Sequence, residues 1–335
     1  MNKKPKAVYL LRPYAYDLIY GPEERRDISS LAEVLEPVMT MENWLKYPGI
    51  CQQVEVIFSG WDMPLVDEVF LGTFPQLKAI FYGAGSIRGF ATDLLWDRDI
   101  TVSSAYRANA IPVCEFTVAQ IVLATKHAWR LASETRTSRR FAASNSLVLP
   151  GMYKSVIGLI SLGAVGRMIA ERLSQYDVQV IAYDPFVESA EAKALGVDMC
   201  SLEEVFQRSD VVSCHTPWIK ETEGMLTHEL FMSMSHGATF INTARGAVVD
   251  QPGLIAALYK RPDLYAMLDV TWPEPPPPES PLYTLPNVWL TPHIAGSKGM
   301  ECHRLGRTMV DELERYLSGE PLRFQILRDK AMVMA

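Results

Sequence analysis

The sequence predicts an α/β protein with two doubly wound parallel-sheet domains, and three observations carry that reading. Short apolar, β-rich runs alternate with amphipathic helical stretches along most of the chain. The alternation falls into two series, an N-terminal one and a better-marked one from Val156 onward. At ~150 residues per domain, a chain of 335 residues divides into two domains rather than one. No internal repeat is visible.

In the first series, strands are expected at 7–11, 54–58, 79–82 and 100–103, with helical segments at 27–35, 64–71 and 92–97. Together they make one small open sheet. From Pro112 to about Arg139, apolar residues recur at helical spacing (Phe116, Ile121, Leu123, Ala124, Ala128, Leu131), which predicts one long helix able to join two domains. The segment AASNSLVLPGMYKS after it is polar, aperiodic and Pro/Gly-bearing, hence an exposed connection. The second series gives six strands, at 156–160, 179–183, 211–215, 239–242, 266–269 and 288–290, a number that suits a dinucleotide-binding, Rossmann-type sheet. The run Pro273–Pro278 cannot be helix or central strand, so it forms a surface loop or rim. A helix over 299–317 closes the pattern, and its return to the first sheet would make that domain discontinuous. The domains are then 1–113 with 299–335, and 114–298.

Composition excludes several classes. Charged residues are 21% and hydrophobic ones 48%, which rules out disordered and collagenous chains. A net charge of −7 lacks the basic excess of nucleic-acid binders. Five widely spaced cysteines without a CxxC pair indicate neither a disulfide framework nor zinc, and fit a reducing compartment. The N-terminal apolar stretch is too short for a signal peptide, and no later apolar run nears the ~20 residues of a spanning helix. The expectation is a cytoplasmic protein without membrane partners. His127, His228, His236 and His303 lack metal-ligand spacing, so no metal is expected.

The stretch VIGLISLGAVGRMIAERL reads as strand, tight turn and helix, with Ser161-x-Gly163-x-x-Gly166 in the turn. Gly163 would let the backbone approach a pyrophosphate, Gly166 would let helix and strand pack, and the N–H groups around Ala164 and Val165 would face the anion. Asp184 closes the next strand, where a carboxylate bonds ribose hydroxyls and disfavours a 2′-phosphate. A serine in the first turn position is tolerated if its φ is negative, and that is expected of Ser161.

Three later strand ends carry complementary residues: Arg245 in INTARGAVVD, Glu274 in DVTWPEP and His293 in LTPHIAG. Residues just past the carboxyl ends of successive strands converge on one crevice. A guanidinium there grips a carboxylate bidentately, and a His paired with a carboxylate serves as general acid and base. That set fits reduction of a 2-oxo acid.

The ordered run of Ser161-x-Gly163-x-x-Gly166, Asp184, Cys214-His215-Thr216-Pro217, Asn242-Thr243-Ala244-Arg245-Gly246, Asp269 with Glu274-Pro275, and Pro292-His293-Ile294-Ala295-Gly296 resembles the D-isomer-specific 2-hydroxyacid dehydrogenases from about Asn109 to His303. The resemblance implies NAD as cofactor, a smaller, discontinuous, flavodoxin-like substrate domain, and a homodimer built on the long helix and its arm. It implies that Arg245 orients the substrate, His293 gives the proton and Glu274 holds His293. It further implies that His215, Thr216, Pro217, Thr243, Ala244, Arg245, Asp269, His293 and Gly296 line the nucleotide. Ala84, Gly85 and Ser86 resemble the family's substrate loop. Glu274 departs from the formate dehydrogenase branch, and Ser161 departs from the glycine usual there. The implied function is a glyoxylate/hydroxypyruvate reductase-like oxidoreductase acting on a small 2-oxo or D-2-hydroxy acid. The alternative is a corepressor-like protein of the same fold that senses NAD.

Two sets of first-domain residues remain open in the sequence. Tyr14, Tyr16, Trp61 and Tyr82 either line a substrate mouth or simply pack. Arg12, Arg88 and Arg107 either bind a second anionic group or are solvated charges.

Overall fold

The computed structural model describes residues 3–141 and 149–333. The chain divides into two compact units, Met1–Ala110 with Ser297–Ala335, and Ile111–Gly296. Each is an α/β layer structure around its own parallel sheet.

The first unit holds β1 (Lys6–Leu10), β2 (Glu33–Val34), β3 (Val56–Ser59), β4 (Ala79–Tyr82) and β5 (Thr101–Ser104), in the order β2-β1-β3-β4-β5 and parallel throughout. This is the flavodoxin-like order, whose topological switch lies between β1 and β3. Alternate residues of each strand go to opposite faces. Tyr9, Phe58 and Phe81 pack under Ile19, Ile28 and the helix Cys302–Ser318, whereas Val8, Leu10, Ile57 and Ile80 meet Phe70, Phe74 and Leu95. The closing helix contributes Leu305, Met309, Val310 and Leu313 to the first of these layers. Gly306 makes that seat possible, because a Cβ there would come within 1.9 Å of the Ile19 carbonyl oxygen.

The second unit holds β6 (Val156–Ile160), β7 (Gln179–Tyr183), β8 (Val197–Met199), β9 (Val211–Cys214), β10 (Thr239–Asn242), β11 (Tyr265–Leu268) and β12 (Val288–Leu290), ordered β12-β11-β10-β9-β6-β7-β8. That is the Rossmann order, with its switch between β6 and β9.

Four expectations need correction. The helix expected over 27–35 is Pro22–Leu31, since Pro22 fixes its first turn and the chain then extends into β2. The helix expected over 64–71 starts at Glu68, where the Asp67 carboxylate accepts the Phe70 N–H as an N-cap. The single helix expected from Pro112 to Arg139 is two, Tyr106–Thr125 and Ala128–Ser138, broken where His127 takes φ 47°. Tyr106–Thr125 is also long and apolar enough by composition to cross a bilayer, contrary to the sequence reading. Its apolarity serves a core, with Cys114, Ile121 and Ala124 buried against Ile157 and Leu159. Of the expected exposed connection, residues 142–148 lie outside those described, and 149–154 carry neither helix nor strand.

Candidate active site

At the carboxyl end of β6, the Ser161 N–H donates to the Tyr183 carbonyl at 2.8 Å, and the Leu162 N–H donates to Asp184 Oδ2 at 2.8 Å. The other Asp184 oxygen accepts the Phe186 N–H, also at 2.8 Å. The carboxylate expected beside a ribose is thus clamped between the turn after β6 and the turn after β7. Ser161 departs from expectation: its φ is +76°, in the left-handed region where a side chain is strained. The turn is tight because the Ser161 carbonyl oxygen lies 2.1 Å from where a Gly166 Cβ would be, so only glycine fits at 166.

Gly163 caps the helix Ala164–Leu173 without any side-chain hydrogen bond, leaving the N-terminal N–H groups at Ala164 and Val165 uncapped. A Cβ on Gly163 would meet nothing within 4 Å. Open space before an uncapped ten-residue helix is what a pyrophosphate requires. The residues present therefore fit a dinucleotide.

β9 borders β6, and the segment after it adds a second wall. The His215 N–H donates to the Ile160 carbonyl at 2.8 Å, its Nε2 is 2.9 Å from Ser213 Oγ, and Thr216 Oγ1 lies 3.4 Å from Ser161 Oγ. Desolvation pushes the His215 imidazole down to about 3, although part of its surface remains exposed, so it is neutral at pH 7. Pro217 accepts from the Thr222 hydroxyl at 2.6 Å and so shapes the following turn.

After β10, the Asn242 side chain ties down the loop that carries Arg245. Its Oδ1 accepts the Ala244 N–H at 3.0 Å and its Nδ2 donates to the Arg245 carbonyl at 3.0 Å. Thr243 Oγ1 is anchored 2.9 Å from Thr117 Oγ1, and Arg245 Nη1 donates to the Ala244 carbonyl at 2.7 Å. Gly246 brings this loop against the end of the next strand, since its Cβ position is 2.0 Å from the Thr271 carbonyl carbon.

His293 Nδ1 and Glu274 Oε1 are 2.6 Å apart, both side chains roughly half exposed, so the pairing expected from sequence is formed. The loop bearing His293 is built on Asp269, which is 3% exposed. Its two oxygens accept the Ile294 and Ala295 N–H groups at 2.8 and 2.9 Å as well as the Thr291 hydroxyl, and its carbonyl accepts the His293 N–H at 3.0 Å. Asp269, expected to line the nucleotide, thus spends its carboxylate on shaping this loop, which ends at Gly296 and holds His293 at φ 51°. The sequence named Asn242 only within a motif, not for the loop it braces, and did not flag Thr291 or the Trp218–Trp272 ring pair, whose centroids are 4.6 Å apart. An Asn or Thr that braces backbone leaves no periodic trace, and tryptophans 54 positions apart form no motif.

In the first unit, Ala84 and Gly85 carbonyls accept from Ser104 Oγ at 3.0 and 2.6 Å, and Ser86 Oγ accepts the Arg88 N–H at 3.3 Å. Tyr82 is buried in the core, whereas Tyr14 is exposed. Arg12 is engaged by Asp62 through two hydrogen bonds, one of them Nη2 to Oδ1 at 2.6 Å. Arg88 and Arg107 are exposed. Among the described residues, no group of three or more His, Cys, Asp or Glu side chains is arranged to hold a metal ion.

A Rossmann sheet with an open glycine turn, an acid closing its second strand and an Arg, Glu and His past its later strands defines the class of nicotinamide-nucleotide dehydrogenases. Comparison with known proteins agrees. Residues 118–295 match the family model for the D-isomer specific 2-hydroxyacid dehydrogenase, NAD binding domain. A glyoxylate reductase of Thermofilum pendens is 35% identical over 260 residues, covering 76% of each chain. A D-3-phosphoglycerate dehydrogenase of Archaeoglobus fulgidus is 31% identical over 261 residues, covering 77% of this chain and 49% of its own. This chain spans about half the length of the phosphoglycerate dehydrogenases it matches. Among solved structures, a phosphoglycerate oxidoreductase from Rhizobium etli shares the fold, with a TM-score of 0.82 at 23% identity over 97% of this chain and 99% of its own. The chain belongs to the D-isomer-specific 2-hydroxyacid dehydrogenase family, and its cofactor is NAD.

Proposed function

We propose that this protein is an NAD-dependent reductase of a small 2-oxo acid, forming the D-2-hydroxy acid reversibly, in the manner of a glyoxylate or hydroxypyruvate reductase. The observation that carries the reading is the 2.6 Å contact between His293 Nδ1 and Glu274 Oε1. With Nδ1 committed to Glu274, Nε2 is the nitrogen left to hold and deliver a proton, and the carboxylate supports the charge of the protonated ring. Arg245, on a loop braced by Asn242, holds the substrate carboxylate by its planar fork. Gly163, Ala164, Val165 and Asp184, with His215, Thr216, Pro217, Thr243, Ala244 and Gly296, hold the nucleotide, which supplies hydride to the carbonyl carbon when bound. The first unit, with Ala84, Gly85 and Ser86, is the substrate domain.

The enzyme works as a cytoplasmic homodimer. Supporting the dimer, no residue of the helix Ala128–Ser138 is fully buried within its own chain.

The test is NADH absorbance with glyoxylate, hydroxypyruvate, pyruvate and bulkier 2-oxo acids. Turnover with at least one is expected, and it should collapse in His293→Ala while NADH still binds. A protein that binds NADH and turns over none of them is a sensor, and the reading falls.

A further inference from the structure

In the second sheet β10 lies between β9 and β11, so the exits of β9 and β11 are two strand spacings apart, about 10 Å. Two indoles bridge that distance. Trp218, four residues past the end of β9, and Trp272, four past the end of β11, have ring centroids 4.6 Å apart at an interplanar angle of 60°. Trp218 is the fixed partner: it packs on the core of the unit, and its Nε1 donates to Glu223 Oε2 at 3.2 Å. The chain just after it is tied to the loop past β10, where the Gly224 and Leu226 N–H groups donate to the Ala247 and Val248 carbonyls at 2.9 and 3.1 Å. Trp272 is half exposed, and its own N–H donates at 3.0 Å to Oε1 of Gln251, the first residue of the helix Gln251–Lys260. Both ends of the ring pair are thereby anchored to the frame that carries Arg245.

Glu274 stands two residues beyond Trp272, with Pro273 on one side and Pro275–Pro278 on the other. None of those prolines has an N–H to donate, so the backbone around Glu274 is held through carbonyls and side chains. The Thr271 hydroxyl supplies one such tie, to the Pro273 carbonyl at 2.9 Å. Trp272 is the last residue before Glu274 that offers both an N–H and a ring to be gripped. The contact it serves is short, 2.6 Å between Glu274 Oε1 and His293 Nδ1, and a slip of about 1 Å would leave no hydrogen bond. We propose that Trp218 and Trp272 are positioning residues for the proton transfer: the ring pair fixes the approach to Glu274 and thereby the Glu274–His293 contact. This assignment rests on the reductase reading, in which His293 exchanges the proton, and every residue in it belongs to the second unit.

The test compares wild type, Glu274→Gln, Trp218→Leu and the double variant. One readout needs no turnover: NMR titration of the His293 imidazole in the NAD⁺-loaded protein, its signal assigned by loss in His293→Gln. The others are kcat with NADH and the best substrate among glyoxylate, hydroxypyruvate and pyruvate, and Kd for NADH. Trp218→Leu is expected to move the titration in the same sense as Glu274→Gln and at least about half as far. It should lower kcat by about tenfold or more and leave Kd within about threefold. Trp218→Phe keeps a ring against Trp272 and should bring kcat back to within about threefold of wild type. In the Glu274→Gln background Trp218→Leu should cost less than about twofold, because its route to His293 is already cut. An unmoved titration in Glu274→Gln or in Trp218→Leu, an equal loss in both backgrounds, a Phe variant no better than Leu, or a parallel loss of NADH affinity overturns the assignment. Should Trp218→Leu fail to fold, Trp272→Leu carries the same expectations. If wild type turns over no 2-oxo acid, the reductase reading falls by itself, and the imidazole titration alone decides the positioning.

Discussion

Ser161 holds a side chain where its backbone favours none, at φ +76° in the turn that faces the dinucleotide. Such a position costs a non-glycine residue ~1–3 kcal/mol, part of which glycine would return as entropy in the unfolded chain. Ser161→Gly should therefore stabilise the protein by about 1 kcal/mol, a rise of roughly 2–4 °C in melting temperature, at the loss of a long contact with Thr216. Differential scanning calorimetry on the two proteins decides it, and an unchanged or lower melting temperature would show that the turn is not strained.

Two further residues near that turn make separable predictions. Asp184 is fixed by two backbone N–H groups, so it cannot swing away from a 2′-phosphate. NADH should be favoured over NADPH by about a hundredfold in kcat/KM, the cost of a like-charge clash in a partly desolvated site. Equal constants would refute this. His215 has a folded-state value of about 3, below the ~6.5 of an unfolded chain. Between those values the unfolded state binds the extra proton, so this contribution is whole above pH 6.5 and is lost as pH falls below it. Allowing for the partial exposure of the ring, the loss from pH 6.5 to 5 is about 1 kcal/mol. Urea titrations across that range should show the decline in wild type and a flatter curve in His215→Gln.

At the scale of elements, the strands were largely legible because buried parallel strands are short unbroken apolar runs bounded by turns. β6, β7, β10 and β12 lie where the sequence places them. β2 and β8 escaped notice because two or three residues at a sheet edge, Glu33–Val34 and Val-Asp-Met at 197–199, carry too little apolar pattern. The break at His127 was invisible because the apolar spacing runs on past it. In the candidate site, chemistry that resides in one residue type at one strand end was readable, as with Glu274 and His293. The scaffolding beneath was not, since Asp269 and Asn242 act by satisfying backbone groups whose positions exist only after folding.

The contact between Gly246 and Thr271 is where two of those loops meet. Gly246→Ala places a methyl 2.0 Å from the Thr271 carbonyl carbon, and backbone must move to relieve it. Displacing the Arg245 loop by about 1 Å should cost about a hundredfold in kcat/KM. NADH Kd should stay within about tenfold, because the Gly163 turn lies elsewhere in the sheet. Loss of NADH binding in parallel with activity would mean that this loop, through Thr243 and Ala244, carries more of the nucleotide's grip than the Gly163 turn.

For the whole molecule, two units with separate cores imply that a ligand of one need not protect the other to the same degree. NADH at about 100 times its Kd adds about 2.7 kcal/mol to the unit that binds it, or roughly 5–10 °C. Hydrogen exchange should slow at β6, β7 and β9 far more than at β3 and β4. Equal protection of both sheets would contradict the placement of the nucleotide on the second unit alone.

The discontinuity of the first unit also sets an order of events at the ribosome. Tyr9, Phe58 and Phe81 are covered in part by a helix that begins at Cys302, so this face of the sheet waits for its full cover while residues 111–296 are made. At ~5–20 residues per second that interval is roughly 10–40 s. The second unit is contiguous and completes itself within it. The first sheet is thus made well before the helix that completes its cover, and its open apolar surface is a place for a chaperone in that interval.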